Sequence, residues 1–183
     1  SGCMIALLLL IAQPYLFARA ILMGSGGAPM TPTPDLFAMV KYYDDPSPEA
    51  MLSLIRAFMV DTSRYGDAIE QIAADRARYA ARADIRRSHE RTFSPQGPPL
   101  VFTPEQLAGI DHQVLLLHGR EDRIIPMAAS HHLAQHLPNA QLHVLPNTGH
   151  WVQIEQADRF VALAELFLGE ATSAARAEQD PAA

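Results

Sequence analysis

The sequence predicts an α/β fold: a parallel sheet flanked by helices, with an all-helical segment inserted between its strands. Three observations predict it. Short apolar runs at residues 20–23, 113–118 and 140–145 read as buried strands, and the later two alternate with helical patterns. Residues 35–93 show helical spacing only and lie between proline-rich joints. The chain has 183 residues, 49% apolar and 19% charged, which is enough to bury one sizeable core and too apolar for a disordered chain.

Met4 to Ala12 is continuously apolar but far shorter than the ~18 residues of a membrane span. Ala18-Arg19-Ala20 mimics a signal-peptide cleavage site, yet no Lys or Arg precedes the apolar run. A buried helix ending near Pro14, then a short strand ending in Gly24-Ser25-Gly26-Gly27, explains both apolar bursts. The prolines from Pro29 to Pro34 read as a linker. Ser47-Pro48-Glu49 supplies an N-cap, a proline at the first helical position and an acidic first turn. Leu52, Ile55, Phe58 and Met59 continue that helix, and Asp67 to Arg91 reads as one further helical tract. Residues 94–100 break the pattern. Thr103-Pro104-Glu105-Gln106 is a capping box. The strand 113–118, a helix over 126–136, the strand 140–145 and a helix over 155–168 complete the chain. The expected organisation is a core over 1–33 and 101–168, a helical cap over 34–100, and a disordered tail over 169–183.

Composition excludes several functions. The formal net charge of −6 argues against sequence-independent nucleic-acid binding. Cys3 alone excludes an intrachain disulfide and an all-cysteine metal site. His132 and His136, with His131 beside them, have helical i, i+4 spacing, but a zincin helix needs Glu where Leu133 stands. His118 and His143 read as structural. The glycine-rich loop at 24–27 runs into prolines rather than a helix, so it cannot cradle a pyrophosphate. No cofactor, metal or membrane partner is therefore expected. The expected partner is a small-molecule substrate and the expected location cytoplasmic, with self-association left open.

Chemistry concentrates in two loops. His118-Gly119-Arg120-Glu121-Asp122 follows one strand and Asn147-Thr148-Gly149-His150-Trp151 follows the next. Loops at the carboxyl ends of parallel strands carry the ligand site in open sheets. A buried carboxylate fixes an imidazole tautomer, and the imidazole activates a nucleophile. Alone, Asp122 reads as a helix cap and His150 as a polar loop residue. Paired, in the order Asp then His, they point to catalysis.

Gly119-Arg120-Glu121-Asp122 with Pro126, followed by Gly149-His150-Trp151, resembles the end of an α/β-hydrolase. Ile21-Leu22-Met23-Gly24-Ser25-Gly26-Gly27, Asp61-Thr62-Ser63 and His150-Trp151-Val152-Gln153-Ile154-Glu155-Gln156 bring it closest to the meta-cleavage product hydrolases. The resemblance runs to about residue 168 and is weakest in the cap. It implies C–C bond hydrolysis of a 2-hydroxy-6-oxo-dienoate from aromatic-ring cleavage, with Asp122 and His150 catalytic. An ordinary esterase and a non-catalytic truncated paralogue are the alternatives.

The resemblance also implies a nucleophile elbow whose last glycine is Gly2, with the nucleophile immediately before Ser1. The rival alignment makes Ser1 the nucleophile and puts Cys3 where the elbow needs glycine. Cys3 itself reads as an inert thiol in a first helical turn. Roughly a third of the fold is then expected ahead of Ser1, and the chain alone is expected to lack activity. The family's carboxylate-binding arginine would fall near Ala73. Arg76 or Arg78 serves if the helix register differs, with solvated surface arginines as the plainer reading. Trp151 is expected to line the pocket or to pack in the core.

Overall fold

The computed structural model describes residues 2–94, 96–97 and 101–170. Among them, strands β1 (Arg19–Met23), β2 (Gln113–Gly119) and β3 (Ala140–Leu145) form a parallel sheet in the order β1-β2-β3. Arg19 pairs with Gln113 on one side of β2, and Val114 pairs with Ala140 on the other. β2 is buried on both faces, which is why its sequence is continuously apolar. Side chains alternate along a strand, so its residues divide between two cores. Val114 and Leu116 pack with Leu7, Leu22, Leu107 and Leu133, whereas Leu115 and Leu117 pack with Leu145, Val152 and Phe167.

The helices follow from local signals. α1 (Gly2–Ala12) buries Leu7 and Leu10 and stops just before Pro14, which opens a short 3-10 turn. α2 (Pro34–Val40) and α3 (Pro48–Phe58) both carry proline in the first turn behind a hydroxyl N-cap. Thr33 accepts from Leu36 N–H and Ser47 from Ala50 N–H. α4 (Ala68–Ala80) packs Ile69 and Ala73 against Ile55 and Met59 of the α3 end, and α5 (Ala83–Thr92) follows it. α6 (Pro104–Ala108) has the full capping box between Thr103 and Gln106. α7 (Met127–His136), α8 (Val152–Glu155) and α9 (Ala157–Gly169) cover the two faces of the sheet. The chain leaves the sheet layer at Gly27 and returns at Val101, where the two backbones bridge in parallel and Phe102 N–H donates to the Gly27 carbonyl.

Several boundaries depart from expectation. The tract 67–91 is two helices, because Arg82 is extended and its guanidinium turns back onto the Asp84 carboxylate. The last helical run is also divided, at Gln156, whose amide bonds back to Val152. Pro126 precedes its helix instead of opening it. The last proline of the linker, Pro34, already belongs to α2. Gly169 closes α9, so the tail expected from 169 begins no earlier than Glu170, and residues 171–183 lie outside the described residues, as does Ser1. Among the described residues, no helix is long and apolar enough to cross a membrane.

Candidate active site

The parallel pairing of β2 and β3 brings the two loops together. The ladder reaches Gly119 opposite Leu145 and then continues past the sheet: Arg120 N–H donates to Leu145 O, and Glu121 N–H to Thr148 O at 3.0 Å. The Glu121 carboxylate closes the junction by accepting from Thr148 N–H at 3.0 Å. Asp122 and His150, far apart in sequence, thereby meet: His150 Nδ1 lies 2.8 Å from Asp122 Oδ2.

The Asp122 side chain is only 1% exposed, so its charge needs partners. Its Oδ1 accepts from Ile124 N–H at 2.8 Å and Ile125 N–H at 2.9 Å, and its Oδ2 is left for the histidine. The carboxylate thus both shapes its loop and orients the imidazole. A carboxylate can only accept here, so His150 holds its proton on Nδ1, and Nε2 is left to take one.

His118 stands behind the acid. It is fully buried at the end of β2, with Nε2 3.1 Å from the Ile125 carbonyl and 3.6 Å from Asp122 Oδ2. The carbonyl can only accept, so Nε2 carries the proton and Nδ1 accepts from Ser130 Oγ at 2.7 Å. Burial pushes this imidazole below its ordinary value, against the opposing pull of Asp122. Read from sequence as structural, His118 is the missed neighbour of the acid. The signal available was its place four residues before Asp122, at the end of the same strand.

Gly24 ends the neighbouring strand on the other side of His150. Its φ is +51°, and a Cβ there would lie 2.6 Å from His150 Nδ1 and 3.1 Å from Asp122 Oδ2. At Gly24 the glycine loop thus makes room for the His–Asp pair.

His150 and Gly24 open onto a cavity of about 580 Å³, lined also by Gly2, Cys3 and Met4 of α1, by Met23, by Met30, Phe37 and Met39, and by Ile124 and Ile125. Apart from His150 and the Cys3 thiol, the described lining is apolar or backbone. Cys3 donates to the Met23 carbonyl at 3.2 Å.

The other two predicted site residues lie elsewhere. Trp151 is half-buried, and its ring stacks on Phe58 with centroids 4.9 Å apart and planes within 5°. Arg76 is exposed and places its guanidinium 4.7 Å from the Trp151 ring centroid. Neither lines the cavity. The register of α4 turns Ala73 inward and leaves Arg76 on the outer side of the indole. Arg78 is exposed and pairs with Asp75 at 3.1 Å. The His132 and His136 rings lie 4.3 Å apart along α7, tilted by 42°. Among the described residues, no cluster of three or more His, Cys, Asp or Glu could hold a metal ion.

Loops that bring an acid and then a histidine to the carboxyl edge of a parallel sheet are the mark of α/β-hydrolases, and the chain belongs to that family. The profile described as "Alpha/beta hydrolase family" matches residues 1–163. Among its relatives is the 2-hydroxymuconate semialdehyde hydrolase of Pseudomonas putida, 38% identical over 91% of this chain and 59% of the relative. A serine hydrolase of the polyaromatic-hydrocarbon-degrading bacterium Cycloclasticus zankles superposes with a TM-score of 0.85 at 40% identity, covering 92% of this chain and 61% of its own. The 2-hydroxy-6-oxo-6-phenylhexa-2,4-dienoate hydrolase of Rhodococcus sp. strain RHA1 superposes with a TM-score of 0.83 at 33% identity, covering 93% and 62%. The chain thus spans about 60% of the length of these relatives.

Proposed function

We propose that the protein of which this chain forms part hydrolyses a carbon–carbon bond in a 2-hydroxy-6-oxo-dienoate formed by cleavage of an aromatic ring. The observation that carries the reading is the Asp122–His150 pair at 2.8 Å, set at the wall of a large apolar cavity. The relatives named for such dienoates supply the substrate class. His150 moves the protons. The dienol is converted to its keto form, and water adds across the bond beside the distal ketone. A 2-hydroxydienoate and a carboxylic acid leave. Asp122 holds the Nδ1 proton and stabilises the imidazolium when Nε2 takes a second one.

The nucleophile belongs at the N-terminal end of α1, because Gly2 and Cys3 line the same cavity as His150. The cavity takes the side group on the distal ketone. Among the described residues its lining, with Met23, Met30, Phe37, Met39 and Ile125, includes no Lys or Arg, and such an apolar wall suits a phenyl or alkyl group better than a second carboxylate.

The test is turnover by the product of the full reading frame, followed as bleaching of the dienoate chromophore. His150→Ala is expected to lower kcat by a factor of about 10³ or more. Hydrolysis of simple esters without dienoate cleavage would mean an esterase on this scaffold.

A further inference from the structure

Glu155 belongs to neither the acid loop nor the histidine, yet it touches both the histidine loop and the helical cap. It lies at the end of α8, half-buried. Its Oε2 accepts from Gly149 N–H at 2.6 Å, one residue before His150. Its Oε1 accepts from Val60 N–H at 2.7 Å, in the segment that follows α3. That segment returns the contact. The Phe58 carbonyl accepts from His150 N–H at 2.8 Å, and the Phe58 ring lies 5.4 Å from the imidazole. Gly149 has no room for a side chain, since a Cβ would sit 2.6 Å from the Phe58 carbonyl oxygen and 3.1 Å from Glu155 Oε2. Arg64 adds a further tie by donating to the Ile154 carbonyl at 3.0 Å.

We propose that Glu155 is a positioning residue that locks the cap segment 58–61, at the end of α3, to the histidine loop, so that the placement of the His150 imidazole depends on the cap. The carboxylate suits the task for a simple reason. Two backbone N–H groups from segments distant in sequence each need a separate acceptor, and a carboxylate offers two oxygens that only accept. Glutamine offers one acceptor and one NH₂, so one of the two amides would face another donor. Aspartate, one methylene shorter, cannot reach both at these distances. His150 is consequently held from two sides: by Asp122 at its Nδ1, and through its backbone by the Phe58–Glu155 clamp. A displacement of the cap at residues 58–61 would therefore be passed to the backbone of the base. The importance of that coupling rests on His150 being the proton-transfer group, whereas the test reads the imidazole and the amides directly and needs no turnover.

The probe is NMR of the full-length protein: the deshielded Nδ1 proton of His150 that Asp122 accepts, and hydrogen exchange of the Gly149 and Val60 amides. Glu155→Gln is expected to displace or abolish the Nδ1 signal and to speed exchange at Gly149 and Val60 by about tenfold or more, the loss of one charge-assisted bond. Val60→Pro tests the coupling from the cap side and covers the case in which Glu155→Gln fails to fold. It deletes the shorter of the cap's two bonds to Oε1, leaving only the longer one from Asp61 N–H at 3.4 Å, and Met59 is already extended at φ −125° and ψ 149°, as a residue before proline must be. Its expected result is faster exchange at Gly149 and a displaced His150 signal. If Val60→Pro leaves both as in the unsubstituted protein, or Glu155→Gln loosens the amides without moving the imidazole proton, the proposal is overturned.

Discussion

Replacing Gly24 by alanine adds one methyl group at the point where the His–Asp pair has no slack. Two costs follow. The residue sits at φ +51°, and a left-handed conformation costs an L-residue about 1–2 kcal/mol. The methyl carbon would also lie 2.6 Å from Nδ1 and 2.8 Å from Cε1 of His150, well inside contact distance. β1 cannot back away, because Gly24 N–H is bonded to Leu117 O at 2.9 Å and Met23 pairs with Leu117 in the sheet. The imidazole is the movable partner, so the 2.8 Å bond to Asp122 is what breaks. A hydrogen bond to a charged group contributes about 1.5–3 kcal/mol. Gly24→Ala should therefore destabilise the fold by about 2.5–5 kcal/mol in urea titration. The deshielded Nδ1 proton of His150 should vanish from the NMR spectrum. An alanine variant that keeps that proton, with stability within about 0.5 kcal/mol of the unsubstituted protein, would refute the steric argument.

His118→Asn tests the buried imidazole behind the acid. Burial depresses the His118 pKa in the folded state, so as pH falls the unfolded chain takes up the proton first. The stability that neutral His118 contributes is full above its ordinary value of 6.5 and is lost as pH falls below it. The urea midpoint should accordingly drop between about pH 7.5 and 5.5 in the unsubstituted protein and drop less in the variant. An unchanged slope would count against a depressed imidazole. Arg76→Ala should cost about 0.5–1 kcal/mol through loss of the contact with Trp151. It should leave the KM of the full-length enzyme for a dienoate within a factor of about three, whereas a rise of about tenfold or more would restore Arg76 as the carboxylate partner. Thr103→Ala removes a capping box and should lower stability by about 1 kcal/mol, measured by thermal or urea unfolding.

The parts of the fold written in short-range chemistry were legible in the sequence. β2 announces itself as a continuous apolar run because both its faces are covered, and α3 and α6 because hydroxyl caps and prolines mark their first turns. The division of residues 67–91 into α4 and α5 was not legible. The chain breaks at Arg82, whose backbone is extended, with no glycine or proline to signal it. At the site, Asp122 and His150 were legible because each follows a strand of the same sheet. Arg76 came from the family resemblance, which puts the carboxylate-binding arginine near Ala73 and leaves the helix register open; in the folded chain the Arg76 guanidinium lies 4.7 Å from the Trp151 ring centroid. Glu155 and His118 escaped for a related reason. Their partners are backbone atoms and a buried acid, contributed by the Phe58–Val60 segment and the Asp122 loop, and these meet only once the sheet has formed.

His150 is held by constraints that come from four separate stretches of chain: Gly24 clears its space, Asp122 holds its proton, Phe58 accepts its backbone N–H, and Glu155 fixes the residue before it. Each contact is modest, on the order of 1–3 kcal/mol. None is local to the histidine loop except Glu155, and Glu155 reaches across to Val60. The geometry of the base is therefore a property of the assembled sheet and cap together. In an isolated loop the imidazole would have neither a fixed tautomer nor a fixed direction. This is why a change in the cap segment 58–61, about 90 residues away in sequence but packed against the histidine loop, is expected to register at His150 as a change at Asp122 does.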